Sequence, residues 1–173
     1  DYDAGSTIAL NAAIAASGTV AIDSTGVTTI AAAGDITAGG AVTFGAAKSG
    51  TLTTAGDVDT TNDNITFTRA VTLTAAVDID TVGGSAGNIL FSAAIATAGQ
   101  DLTLDAGTAG NITLSAALTG GGAMTVRDGA VQAYDALTVG SLSIVDATTS
   151  VTFGGAVDAT TTITVNSGGT IVQ

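Results

Sequence analysis

The sequence predicts an all-β chain wound as a parallel β-helix, a β-solenoid. Three observations carry that expectation: a repeat of about twenty residues, short apolar–polar–apolar triplets inside each repeat, and glycine or asparagine where the chain must turn. Repeat starts fall at Ile8, Ile30, Leu52, Val71, Ile89, Ile112, Val131, Val151 and Ile171, with spacings of 22, 22, 19, 18, 23, 19, 20 and 20 residues. Six residues after each of the first eight starts stands another apolar residue, from Ile14 and Ile36 through Leu118, Leu137 and Val157. A third follows at eleven to thirteen: Val20, Val42, Ile65, Val82, Leu102, Met124, Leu142 and Ile163. An apolar residue repeated two positions on, as in Ile112–Leu114 or Met124–Val126, is a short strand with one buried face. Each repeat thus supplies two or three such strands.

The middle residue of the triplet is commonly threonine, as at Thr66, Thr103, Thr113 and Thr125. A β-branched side chain suits a pleated surface and leaves its hydroxyl to water, so these threonines are expected outside. Ile65, Ile89, Phe91, Leu102, Ile112, Leu114 and Met124 are expected inside. A one-residue error in strand phase would invert every assignment. Gly50, Gly87-Asn88, Gly110-Asn111, Gly129 and Gly169 precede strands, where a corner can use positive φ. Eight coils of roughly 20 residues, each rising about 4.8 Å, make a rod about 40 Å long. Residues 1–173 therefore read as one solenoid domain.

Composition excludes much else. The chain has no Pro, Cys, Trp or His, and only 10% of it is charged. All fifteen acidic residues are Asp, against Lys48, Arg69 and Arg127, which leaves a net charge of −12. Aspartate favours turns, and the lack of Glu argues against helices. Nucleic acid is an unsuitable partner for such a surface, because phosphate binding needs clustered Lys and Arg. No apolar run is long enough for a membrane-spanning helix, and no signal peptide opens the chain. A start at Asp1 without Met marks a processed product or a piece of something longer.

The stretch from Gly87 to Leu118, G-N-I-L-F-S-A-A-I-A-T-A-G-Q-D-L-T-L-D-A-G-T-A-G-N-I-T-L-S-A-A-L, resembles the repeats of filamentous haemagglutinin-like and giant autotransporter-type bacterial surface proteins. The cadence returns in S-V-T-F-G-G-A-V from Ser150 and in I-T-V-N-S-G-G-T-I-V from Ile163. The resemblance covers the whole chain and implies a right-handed parallel β-helix, extracellular or on the cell surface, in a stalk, adhesin or fibre. It carries over no catalytic or binding residue. Steps of six also describe a left-handed hexapeptide β-helix; the right-handed form is preferred because coil length varies and bulky residues recur at the second apolar position of each triplet.

Chemistry is sparse. Without Cys or His there is no thiol nucleophile, imidazole base or borderline metal site, and no catalytic or cofactor-binding residue is assigned. Asp57, Asp59 and Asp63 gather near Asn62 and Asn64, with Asp78 and Asp80 one coil on. They read as solvated corner residues or, more sharply, as a weak Ca²⁺ site, although no calcium-loop signature accompanies them. Offset seven groups Asp59, Asp78 and Asp158, and a later offset groups Asp23, Asp105, Asp128 and Asp146, so that Asp105, Asp128 and Asp146 should form a ladder of like charges. An ice-binding face is disfavoured, since such arrays pair two Thr per coil at constant coil length. Phe44 and Phe67, like Phe91 and Leu114, read as core stacks, and Tyr2 and Tyr134 as isolated. The expected function is a structural extracellular rod whose partners are copies of itself, flanking coils, or a host surface or its glycans. The alternative is a carbohydrate-binding or carbohydrate-active β-helix.

Overall fold

A computed structural model describes residues 2–45, 50–81 and 87–173. These residues form twenty-five strands, β1 to β25, of two to six residues each, and no helix. The first coil shows the rule: β1 (Tyr2–Ala4), β2 (Ile8–Leu10) and β3 (Ile14–Ala16) each found a separate sheet. Every third strand then joins the same sheet, giving a first sheet of nine strands and a second and third of eight. All pairings are parallel. A parallel pair cannot be closed by a hairpin and needs a crossover. Here the other two sides of each coil serve as that crossover. The chain is an all-β solenoid with three faces, as the repeat implies.

The register corrects the expected phase. Ile8 lies opposite Thr28, and it is Leu10 that meets Ile30. Val71, in the second sheet, pairs with Ile95, whereas Ile89 belongs to the first sheet and pairs with Ile65. The series of repeat starts therefore slips by one face between Val71 and Ile89. Its cause is uneven coil length, since Met124 and its partner Leu142 are 18 residues apart and Val77 and Leu102 are 25 apart. The turn after β12 (Val77–Asp80) is the lengthened one. Val82, expected as a strand residue there, lies outside the described residues. Because every face repeats the same inward–outward alternation, a slip of one face leaves burial assignments intact.

All seven residues expected in the core are at most 2% exposed, and Thr66, Thr103, Thr113 and Thr125 alternate outward between them. Phe44, Phe67 and Phe91 stack along the axis, their ring centres 4.8 and 4.2 Å apart and nearly parallel. The column continues through Leu114, Tyr134 and Phe153, the last two rings 5.8 Å apart. Tyr134 is thus not isolated. Val131 is not a core residue either: it is 39% exposed, and Gln132 takes the inward place opposite Ile112. That amide is satisfied, because its Nε2 donates to the Asp146 carbonyl at 2.8 Å and its Oε1 accepts the Tyr134 hydroxyl at 2.7 Å. A paired buried amide costs little, whereas an orphaned one costs about 1–3 kcal/mol.

The corner glycines are needed for space more than for conformation. Gly50 and Gly110 have ordinary φ, but a Cβ there would sit 1.9 Å from the Gly26 carbonyl and 2.1 Å from the Ala106 and Gly87 carbonyls. Stacked corners bring backbone onto backbone, so glycine is required where coil rests on coil. A polar ladder pins the corner that leads into the third sheet. Oδ1 of Asp35 accepts the N–H of Asp57 at 3.0 Å, and Oδ1 of Asp57 accepts that of Asp78 at 2.7 Å.

Candidate functional site

The three faces differ in charge. On the second face the outward column runs Ala9, Thr29, Thr53, Thr72, Ala96, Thr119 and Thr138, with a single charge, Asp158, in the next coil. The third face carries the acid. Register places Asp59, in β9 (Val58–Thr60), beside Asp80, Asp80 beside Asp105, and Asp105 beside Asp128 across a bulge. The Asp105–Asp128 contact of the expected ladder is therefore present, and the ladder reaches back two coils further. The expected grouping of Asp59, Asp78 and Asp158 is not: Asp78 lies opposite Thr103, and Asp158 is on the second face opposite Thr138.

Like charges one strand apart, partly withdrawn from water, hold their protons more tightly. Burial, then Asp80, Asp57, Asp78 and Asp35, pushes the Asp59 carboxyl up from 3.8 to about 6. Asp78 is also raised by burial, although Arg127 reaches its Oδ2 at 2.8 Å and opposes the shift. Asp128 is raised by burial as well.

The sign follows from linkage. A raised folded-state value means that the folded rod binds the proton more tightly than the unfolded chain, so stability rises as pH falls through about 6 and levels off below 3.8. Solvent reaches this carboxyl, so the gain is discounted to about 1 kcal/mol. The melting temperature at pH 5 is expected to exceed that at pH 7.5, and Asp59→Asn should flatten the difference. A melting temperature that falls towards pH 5 equally in both proteins would contradict this account.

Of the three residues singled out for calcium, Asp57 and Asp59 flank Val58 in one coil of the third face. Asp57 already uses Oδ1 to hold Asp78, while Asp63 lies round the corner beyond Asn62, which has φ +65°. The Asp63 carbonyl accepts the Thr60 hydroxyl at 2.6 Å. Among the described residues no group of three acidic side chains is placed to hold a metal ion.

Two features escaped the sequence reading. Arg69 follows β10 (Ile65–Phe67) and is 3% exposed, yet it reaches back two coils to the end of β4 (Val20–Ser24). One terminal nitrogen pairs with Asp23 at 2.8 Å, and the other donates to the hydroxyls of Ser24 at 3.0 Å and Thr28 at 3.1 Å. Gly45, at φ +79°, leaves the slot the guanidinium crosses; a Cβ there would meet Nε at 2.3 Å. The only sequence signal was the pairing of a rare Arg with a Ser and a Thr at otherwise apolar positions. The second feature is a shallow hollow of about 290 Å³ on the first face, lined by Thr113, Ala133, Thr152, Ser115, Asp135 and Gly154. Small Ala133 between two threonines creates it.

Comparison with protein-family models, with curated proteins and with solved structures finds no match.

Proposed function

We propose that the chain is a structural rod of the bacterial cell surface or its exterior, serving either as a stretch of an adhesin or stalk or as a subunit of an end-to-end stacked fibre. The observation that supports this reading is the uninterrupted stack: three parallel sheets run through the described residues, joined by corners mostly of two to six residues. Such a chain invests its residues in length and a continuous surface. The resemblance to haemagglutinin-like repeats supports the same reading and the right-handed winding. The partners that fit are copies of the chain, adjoining coils, or a host surface and its glycans. For the alternative, a carbohydrate-binding β-helix, the shallow Thr113–Ala133–Thr152 hollow is a supporting feature.

Electron microscopy of the native material tests the proposal. Rods or filaments that lengthen by about 40 Å per segment of this size are expected. Compact dispersed particles would overturn it. Sedimentation of the isolated chain then separates the two forms, because a stacking subunit polymerises as concentration rises and a stalk segment stays monomeric.

A further inference from the structure

The corner leading into the first sheet holds one asparagine per coil over three coils: Asn64, Asn88 and Asn111. Their side-chain carbonyls form a ladder in which Asn64 Oδ1 accepts the N–H of Asn88 at 2.9 Å, Asn88 Oδ1 that of Asn111 at 2.9 Å, and Asn111 Oδ1 that of Val131 at 3.2 Å. The side-chain amide nitrogens are not equivalent. Asn88 donates its Nδ2 to Asn64 Oδ1 at 3.0 Å, while among the described residues the Nδ2 groups of Asn64 and Asn111 donate to nothing. Asn64 and Asn111 are exposed and Asn88 is half-buried.

The residue two positions on, which shares a side of the strand with the asparagine, divides them in the same way. It is Thr66 after Asn64 and Thr113 after Asn111, but Leu90 after Asn88. Neither threonine hydroxyl has a protein partner among the described residues. The triplets Asn64-Ile65-Thr66 and Asn111-Ile112-Thr113 are the only two in the sequence with the N-x-S/T pattern of an asparagine glycosylation acceptor.

We propose that Asn64 and Asn111 are acceptor sites for an N-linked sugar, added by a transferase that reads N-x-T and uses a sugar nucleotide as donor. Nδ2 attacks the anomeric carbon, the C–N bond forms as the bond from that carbon to the diphosphate oxygen breaks, and the nucleoside diphosphate leaves with the electron pair. The displaced amide proton passes to the transferase. The product is a secondary amide that keeps its carbonyl, so the ladder bond through Oδ1 survives. At Asn88 the Nδ2 that would react is already engaged with Asn64, and no hydroxyl two residues on would guide the step. The two acceptors stand two coils apart, about 10 Å along one edge, beside the acidic face. The inference does not depend on the adhesin reading.

The test incubates the folded 173-residue chain with a soluble N-x-T-reading glycosyltransferase and UDP-glucose, followed by peptide mass spectrometry. Hexose is expected on Asn64 and Asn111 and absent from Asn11, Asn62, Asn88 and Asn166. Thr66→Ala and Thr113→Ala should each lower occupancy at their own site at least tenfold with an unchanged circular dichroism spectrum, and Thr66→Ser should retain it. Hexose on Asn88, undiminished occupancy in the alanine variants, or modification only of chain unfolded in urea would each overturn the proposal.

Discussion

Replacing Arg69 with alanine is expected to destabilise the rod by about 3–5 kcal/mol, because it breaks a buried ion pair and leaves Asp23, withdrawn from water, without the guanidinium that faces it. Asp23 is 9% exposed, and the hydroxyls of Ser24 and Thr28 lose the same donor. The removed side chain also empties the slot beside Gly45, where a Cβ would lie 2.3 Å from Nε. Arg69→Lys should recover only part of the loss, since an ammonium cannot address Asp23 with one nitrogen and the two hydroxyls with another. Denaturant unfolding of Arg69→Ala, Asp23→Ala and the double variant measures the pairing directly. The double variant is expected to cost less than the sum of the singles, because removing both charges leaves no uncompensated ion. Additive losses would show that Arg69 acts through packing alone.

The period, the strand alternation and the core were legible in the sequence because they follow from local rules. Ile65, Phe91 and Met124 are inside for the same reason that Thr66 and Thr125 are outside, and no knowledge of the neighbouring coil is needed to place them. What coil rests on what coil was less legible, since that depends on corner length. The longer connection after Asp80 put Ile89 in the first sheet and so left Asp158 on the second face, whereas Asp78 missed Asp59 because Leu73 and Ile79 are two residues further apart than their partners Thr54 and Val58. That two-residue difference is what sets Asp80 beside Asp59. Arg69 was invisible for a different reason: its partners lie 41 to 46 residues away, and only the stacked coils reveal that Gly45 opens a passage between them. The corner glycines had the right positions but the wrong cause, because a coil pressed on a coil excludes a Cβ at Gly50 and Gly110 even where φ is ordinary.

The aromatic column gives the second large effect and a reading of how far it travels. Phe67 lies between Phe44 and Phe91, with ring centres 4.8 and 4.2 Å away, and is 1% exposed. Phe67→Ala removes a full ring from the middle of a closed column and is expected to cost about 3–5 kcal/mol. Phe67→Leu should cost about 1–2 kcal/mol, because Leu114 already occupies the next place in this column without disturbing the stack. In a solenoid each coil meets only its neighbours, so the damage should be local. Hydrogen exchange in Phe67→Ala is expected to accelerate first at β7 (Val42–Phe44), β10 and β13 (Ile89–Phe91), while β19 (Val131–Tyr134) and β22 (Ser150–Phe153), three and four coils on, retain their protection. Uniform acceleration through all three sheets would mean instead that the coils unfold as one unit, with interfaces between coils dominating the stability of each coil alone. The two outcomes assign the rod's rigidity differently. Local loss makes each coil a separable element, so that a long stalk tolerates a single damaged layer, whereas uniform loss makes the whole stack fail at its weakest ring.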